Sequence, residues 1–518
     1  MRVHLMYRDR DFDPKQELPW NTGALIQDLE LDTLLRGMAG DDAFLFDVAR
    51  TALLSGLQHD VDTVRYRQEI LQDCLRNPTV SRELYRLTVE TIGRKGNRWL
   101  GIFSRYPAGI LSDAIHLLEL LVDGLTLLRN TAKAHAHRFT SEGFSTLFAM
   151  LEQELSDDYL TSIRTQLMEL QFPRGVFLSA DLGEGNSGVN YVLRLAPEKP
   201  SNWLQRMLGR GQPPAYTFRL DPRDEAGAQI LSDMKANGIN AVANALAQSA
   251  DHVMSFFTML RTELAFYVSC LNLHERLAGK GEPTCFPHPV HAGERRYRFS
   301  ELYDVCLSLL MGGQRVVGNT VDADGKNLVL ITGANQGGKS VFLRSIGLAQ
   351  LMMHSGMFVA AESFAAEVCT GVFTHYKREE DATMRGGKLD EELARMSEIV
   401  DHITPNALLL CNESFAATND REGSEITRQI VNALLESGIK VIFVTHLYEF
   451  AHGLSNQENV NTLLLRAERG ADGTRPFRLV EGKPLETSYG EDVYREVFSV
   501  GTANHAPDDL NRQLGEQP

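Results

Sequence analysis

Eight consecutive residues in the C-terminal half of the chain combine glycines, a lysine and a hydroxyl group in an order that suits phosphate binding. These residues are Gly333, Ala334, Asn335, Gln336, Gly337, Gly338, Lys339 and Ser340. An apolar run precedes them and a helical pattern follows, so their backbone N–H groups would surround a β-phosphate at a helix N-terminus. Lys339 would neutralise the β- and γ-phosphates, and the Ser340 hydroxyl would ligate Mg²⁺. The pattern predicts a P-loop that binds ATP.

Two other apolar runs end in polar side chains that would complete such a site. Residues 407–411 lead into Asn412 and Glu413, and residues 441–444 are followed closely by His446. Ligands of parallel sheets lie at the carboxyl ends of the strands, so Glu413 is predicted to orient the attacking water as a general base. His446 is predicted to contact the region of the γ-phosphate. Either residue alone would be an ordinary surface side chain, but their order after the P-loop favours the catalytic interpretation.

The elements that must position these residues follow from the spacing of apolar side chains. Beyond Glu301, short β-rich runs alternate with helical runs, which predicts a parallel sheet flanked by helices. Residues 18–172 carry apolar side chains at spacings of three and four, which is typical of a helical domain. Alternating runs within 174–223 predict a small β insertion. A helical pattern over 224–278 predicts a long helix that bends or breaks, with Gly238 as the candidate position.

These patterns predict a multidomain chain, in which an α-helical domain with a small β insertion precedes an α/β P-loop ATPase domain of the ABC-like type. A stretch rich in glycine and proline, up to Arg298, marks the boundary between the two. The predicted bounds are 1–24 for an N-terminal segment, 25–290 for the helical domain, 291–500 for the ATPase domain and 501–518 for a disordered tail.

Composition limits the partners and the compartment. The 518 residues carry a formal net charge of −16, which argues against nonspecific coating of nucleic acid but leaves a local basic patch possible. The six cysteines are scattered without CxxC spacing, so buried thiols are predicted rather than disulfides or a zinc site. We find neither an N-terminal signal pattern nor an apolar run of about 18 residues, so the chain is expected to be cytoplasmic and not bound to membranes.

Together, the three motifs resemble the ATPase domain of the MutS-type DNA mismatch-repair proteins. The strand, P-loop and helix of that family are similar to residues 328–356, and the turn after its catalytic glutamate is similar to residues 413–423. The sequence THLYE at 445–449 resembles the strand end of the family, and TSYG at 487–490 resembles the start of its C-terminal helices. The likeness is weaker, though continuous, over 25–290.

The resemblance implies a helical core and lever domain joined to an ATPase domain that binds ATP and Mg²⁺ and forms a homodimer. It implies the catalytic role of Glu413, and it places the β insertion where the family has a clamp that closes on DNA. DNA binding is implied by the resemblance alone. We therefore expect an ATP-dependent DNA-binding protein whose lever or clamp moves with the ATPase cycle, in DNA repair or recombination.

Three departures from the family change these expectations. Asn412 stands where the family has a magnesium-coordinating aspartate, so hydrolysis is expected to be slow or differently dependent on the metal. The loop at 384–392 lacks the serine that reaches the partner subunit's nucleotide, although Arg385, Gly387 or Lys388 would offer positive polarity there. An N-terminal mismatch-reading domain with its Phe-x-Glu wedge is not expected, so DNA would be recognised by shape or junction.

A second hypothesis comes from a different class of protein, a nucleotide-gated scaffold that hardly hydrolyses ATP and does not touch DNA. Three features favour this hypothesis: Asn412, the altered loop at 384–392 and the net negative charge of the chain. A continuous basic stripe on the helical domain would instead favour DNA binding. Candidate contributors are Arg94, Lys95 and Arg98, or the basic residues within 206–210, and each of these is equally compatible with a solvated surface.

Overall fold

The computed structural model describes residues 1–94, 106–194, 219–221, 223–378, 387–455, 461–470 and 473–485. The chain divides into two compact units. The first consists of Met1–Leu5, Asp9–Phe12 and Arg76–Leu264, and the second of Met6–Arg8, Asp13–Leu75 and Ala265–Pro518. No described helix is both long enough and apolar enough to span a bilayer.

The first unit is built mainly from helices. They are Pro78–Arg94, Pro107–His135, Glu142–Glu154, Asp157–Leu170 and most of Glu225–Gly279. The close approach of helices requires a small residue at Gly124, where an added Cβ would lie 2.6 Å from Thr91 Cγ2 and 3.1 Å from Phe257 Cζ. Leu121, Leu125 and Leu128 are buried along the same helix, so its apolar stripe forms the core of this unit.

An antiparallel hairpin lies within the segment for which a β insertion is predicted. Its strands are β1 (Phe177–Leu182) and β2 (Gly188–Arg194). The helix after it is continuous over 55 residues, Glu225–Gly279. The prediction that the helix could break at Gly238 is therefore wrong. The glycine instead makes room for the hairpin, because a Cβ there would clash with the side chain of Leu178.

The second unit holds two sheets and several helices. The helices are Thr22–Asp28, Leu31–Ala39, Ala43–Ser55, Val61–Arg76, Val305–Leu310, Lys339–His354, Lys388–His402, Asp420–Glu436 and Tyr448–Ser455. The smaller sheet has the order β3-β7-β4-β5, formed by His288–Val290 (β3), Ser363–Glu367 (β7), Tyr297–Leu302 (β4) and Asn319–Asp322 (β5). In it, β3 pairs parallel with β7, while β4 runs antiparallel to both of its neighbours.

The larger sheet carries the candidate site. Its order is β12-β11-β6-β10-β9-β8, formed by Leu479–Glu481 (β12), Thr462–Ala467 (β11), Leu328–Gly333 (β6), Lys440–Val444 (β10), Leu408–Asn412 (β9) and Val372–Tyr376 (β8). All pairs are parallel except β11 with β12. Leu330, Leu409 and Val441 are fully buried, as expected for parallel strands covered on both faces. The alternation of strands and helices predicted beyond Glu301 is therefore present.

All six cysteines are free thiols. Five are buried as predicted, and Cys285 is only partly buried. Among the described residues, no group of three or more His, Cys, Asp or Glu side chains is arranged to hold a metal ion.

Candidate functional site

The P-loop backbone adopts conformations that explain its glycines. The loop leaves β6 at Gly333 with φ +105°, and the helix Lys339–His354 begins directly after Gly338 with φ +85°. Both angles lie in the region that favours glycine. A Cβ on Gly337 would lie 2.7 Å from Ala467 Cβ and 2.9 Å from the Ala334 carbonyl oxygen. The loop can therefore lie tightly against β11 only because this residue has no side chain.

The Lys339 side chain is buried against the loop it follows. Its Nζ donates hydrogen bonds to the carbonyl oxygens of Gly333 at 3.0 Å and Ala334 at 2.8 Å. Burial lowers the pKa of this ammonium to about 8, the Glu413 carboxylate opposes that shift, and the Arg475 charge adds to it. An ammonium has three donors, so one N–H remains for an incoming phosphate oxygen.

Asn412 and Ser340 meet at the strand ends. The Ser340 hydroxyl donates to Asn412 Oδ1 at 3.1 Å, although the two residues are 72 positions apart in the chain. Parallel pairing aligns Asn412 with Val444, which sets the end of β9 beside the end of β10. The site thus presents two neutral oxygen atoms close together, which are ligands of the kind that Mg²⁺ accepts.

Glu413 and His446 lie within hydrogen-bonding distance of each other. His446 Nε2 lies 3.0 Å from Glu413 Oε1, and both side chains are about one-third exposed. Glu413 has a left-handed φ of +54°, and its backbone N–H donates to Val444 O at 2.9 Å. The hydrogen bond from His446 lowers the pKa of Glu413, with smaller contributions from the charges of Lys377 and Lys339. The carboxylate is therefore kept ionised, as a general base requires.

A cavity of about 590 Å³ opens beside the P-loop and includes Glu413 in its wall. Asn335, Gln336, Gly337, Gly338, Lys339 and Ser340 form one side of it. Apolar side chains form much of the rest, namely Leu302, Tyr303, Leu307, Met311, Val316, Val317 and Phe477. Cavities of this size, apolar with a few convergent polar groups, are typical small-molecule sites. The stretch 315–319 contributes Arg315, Val316, Val317 and Asn319 to this wall.

Two residues that the motifs did not indicate come from the turn between β11 and β12. Arg475 Nη1 donates to the side-chain oxygen of Gln336 at 2.8 Å, and Phe477 lines the cavity. Gln336 itself has a left-handed φ of +58°. Arg475 and Gln336 are 139 positions apart, so no local spacing in the sequence relates them. Only the pairing of β11 with β6 indicates that Arg475 lies near the P-loop.

Several predicted residues lie outside the described part of the chain. They are Lys95 and Arg98, the basic residues of 206–210, Arg385, the TSYG sequence at 487–490 and the tail at 501–518. Gly387 is described and immediately precedes the helix that begins at Lys388. Arg94 is the last residue of the helix Pro78–Arg94.

Comparison with known families gives two matches, one on either side of the domain boundary that the sequence predicts near Arg298. A model described as the MutS2 N-terminal domain matches residues 59–280, and a model described as MutS domain V matches residues 329–502. The second match contains the P-loop, Asn412, Glu413 and His446.

Individual relatives carry related names. The chain is 25% identical over 415 residues to the DNA mismatch repair protein MutS of Streptococcus mutans serotype c, covering 76% of this chain and 47% of that protein. It is 27% identical over 234 residues to MutS of Streptococcus thermophilus, covering 44% and 27%. It is 31% identical over 194 residues to the endonuclease MutS2 of Thermus thermophilus, covering 37% and 26%. The matched region spans less than half the length of each relative.

Proposed function

Because the chain belongs to the MutS family and carries its ATPase domain, we propose that it binds Mg²⁺ and ATP at the P-loop, hydrolyses the nucleotide slowly and couples this cycle to DNA binding. One observation carries the proposal: the buried Lys339 and Glu413, whose carboxylate is paired with His446, both line one cavity of about 590 Å³ beside the P-loop. A cation for the phosphates and an ionised base for water are the two parts that phosphoryl transfer to water needs.

Each residue has a defined part in this reaction. Lys339 and the loop N–H groups hold the β- and γ-phosphates, with Asn335 and Gln336 shaping the loop. Glu413 accepts a hydrogen bond from the attacking water and orients it towards the γ-phosphorus, while His446 keeps Glu413 ionised and lies near the γ-phosphate region. The apolar wall with Phe477 receives the adenine base.

Mg²⁺ would be held by the Ser340 hydroxyl and the Asn412 amide oxygen, which are already within 3.1 Å of each other. When bound, the metal would supply positive charge that neutralises the phosphate groups. Both protein ligands are neutral, so affinity for Mg²⁺ is lower than with a carboxylate at residue 412. This feature supports slow turnover.

We propose DNA as the partner because relatives named for mismatch repair match up to 76% of this chain. The helical residues 25–290 would form the core and lever domain, and 291–500 the ATPase domain, through which two copies would pair. DNA would be recognised by shape or junction. A nucleotide-gated scaffold is the alternative, and Asn412 is the observation that favours it.

The deciding experiment measures ATP turnover by the purified protein with branched, mismatched and plain duplex DNA and without DNA. Lys339→Ala and Glu413→Ala serve as controls for binding and for chemistry. Turnover that responds to DNA and disappears in both variants supports the proposal. ATP binding with neither turnover nor a DNA response would instead support the scaffold.

A further inference from the structure

His375, near the end of β8, is a fully buried imidazole that contacts three parts of the second unit. Its Nε2 lies 2.9 Å from the carbonyl oxygen of Glu392, on the helix Lys388–His402. Its Nδ1 lies 2.7 Å from the hydroxyl of Ser414, which directly follows Glu413. Its ring stacks on Phe415, with centroids 5.2 Å apart and an angle of 23° between the planes.

Counting protons fixes the tautomer of this ring. A carbonyl oxygen only accepts, so Nε2 must carry the proton that goes to Glu392 O. Burial, followed by the charge of Arg395, lowers the pKa of His375 to about 4, so the ring is neutral and Nδ1 accepts. The Ser414 hydroxyl also lies 2.7 Å from His375 O, so its single proton is shared between two acceptors on one residue. Ser414 is thereby held from two directions.

The loop that His375 holds is strained. Glu413 and Phe415 both have left-handed φ angles, +54° and +63°, and neither is glycine. Such conformations are unfavourable for residues other than glycine and persist only where surrounding contacts enforce them. The side chain of Phe415 is fully buried and stacks on the imidazole of His375. Ser414, which lies between the two strained residues, is hydrogen-bonded to the same imidazole. The direction of the Glu413 carboxylate therefore depends on His375.

The same ring also connects this loop to a helix. Glu392 lies in the second turn of Lys388–His402, and Arg395 on that helix donates to Tyr376 O at 3.0 Å. The end of β8 is thus tied to the helix at two points. A shift of the helix by a fraction of an ångström would lengthen the hydrogen bond between Glu392 O and His375 Nε2. Because buried side chains are closely packed, the ring would move with the helix and displace Ser414.

We propose that His375 is a positioning residue for ATP hydrolysis, which holds Glu413 in its working direction through Ser414 and Phe415 and couples it to the helix Lys388–His402. The inference rests on the proposed function, in which Glu413 orients the attacking water. A residue of this kind changes the chemical step and leaves nucleotide binding intact, since its hydrogen bonds and its ring stack go to neither the P-loop nor Lys339.

The test compares His375→Gln and Ser414→Ala with two matched controls in the same unit. His354→Gln alters another fully buried imidazole, whose Nε2 accepts from the Cys369 N–H. Ser355→Ala removes another buried hydroxyl, which donates to Met352 O at 2.9 Å. Each variant is assayed for kcat, for ATP affinity, for thermal unfolding and for the pH dependence of kcat.

His375→Gln is expected to lower kcat about ten- to hundred-fold, the scale of a misplaced catalytic group, with the ATP Kd changed less than about twofold. Ser414→Ala is expected to lower kcat about tenfold, and the effects of the two should not add, because they break one connection. The acid limb of the pH profile should move to higher pH as Glu413 loses its alignment with His446. Control variants should lose thermal stability at unchanged kcat.

Equal losses of kcat in His375→Gln and His354→Gln would overturn the inference, since they would indicate general loosening of the unit. Ser414→Ala decides the question should His375→Gln not fold, and a normal kcat in that variant also overturns it. A wild-type protein without ATP turnover would refute the proposed function and this inference together. Active wild type with an unaffected Ser414→Ala variant would refute only the inference.

Discussion

Raising the pH from about 7 to about 9 should weaken ATP binding by about tenfold, because Lys339 loses its proton in this range. The pKa of its ammonium is about 8 in the nucleotide-free protein, as a result of burial and of the nearby Arg475 charge. Phosphate oxygens would raise that pKa on binding, so the protonated form is the one that binds. ATP affinity is then nearly complete at about pH 7, falls to roughly half when pH reaches the pKa of about 8, and continues to fall as pH rises further.

The magnitude follows from the protonated fraction of Lys339. With a pKa of about 8, roughly nine-tenths of the free protein carries the proton at about pH 7 and roughly one-tenth at about pH 9. The apparent Kd equals the intrinsic Kd divided by the fraction of protein that is competent to bind. The ratio of the two protonated fractions therefore gives the change in apparent affinity.

The assay is equilibrium binding of a fluorescent ATP analogue across this range, at constant ionic strength and saturating Mg²⁺. Lys339→Arg supplies the control, because a guanidinium keeps its charge throughout and should give a nearly flat profile. Arg475→Gln should move the midpoint to higher pH, since the Arg475 charge helps to lower the pKa of Lys339. A wild-type profile that matches Lys339→Arg would refute the placement of Lys339 against the loop carbonyls.

Three further predictions test the rest of the site. Asn412→Asp should lower the Mg²⁺ concentration that gives half-maximal ATP turnover about tenfold, because the substitution adds a negative charge beside Ser340 Oγ. The measurement is a titration of turnover with Mg²⁺. Gly337→Ala should weaken ATP binding at least about tenfold, because a methyl group would overlap Ala467 and force the loop to move; Gly453→Ala, where a methyl group meets no neighbour within 4 Å, should have no effect. His446→Ala should move the acid limb of the kcat profile to higher pH, because its hydrogen bond lowers the pKa of Glu413.

The residues predicted from the sequence share one property: they lie at, or shortly after, the C-terminal end of a buried strand. The P-loop follows β6, Glu413 follows β9 and His446 follows β10 by two positions. Parallel pairing brings these strand ends together without any further information, so local patterns suffice to predict that the residues meet. Their roles in ATP binding and hydrolysis stay predictions until the variants are assayed.

Other parts of the site depend on contacts that local patterns do not encode. Arg475 reaches Gln336 because β11 pairs with β6 and then turns back into β12. His375 reaches Ser414 because β8 pairs with β9 in a register that aligns it with Cys411. Phe415 adopts a left-handed φ that an aromatic residue rarely takes, so no rule based on residue type would place it there.

At Gly238, a local pattern predicted a break in the helix that the structure does not have. A glycine inside a helical pattern normally weakens the helix, which is why a bend or break was expected at this position. The helix nevertheless runs through Gly238, and the side chain of Leu178 on β1 occupies the space that a Cβ would fill, so the close contact explains the glycine. A glycine in a helix is therefore ambiguous from sequence alone, and only the neighbouring element decides between a break and a close contact.

In the proposed reaction, the neutral amide of Asn412 would separate ATP binding from hydrolysis. Lys339 and Arg475 place two cations around the P-loop, and Glu413 brings the opposing carboxylate. Phosphate binding depends on those cations and on the loop N–H groups, so an amide at residue 412 leaves it intact. The affinity for Mg²⁺ depends on ligand charge, and both of the proposed protein ligands, the Ser340 hydroxyl and the Asn412 amide oxygen, are neutral. Turnover should therefore be limited by how often Mg²⁺ accompanies the bound nucleotide, rather than by how tightly the nucleotide is held.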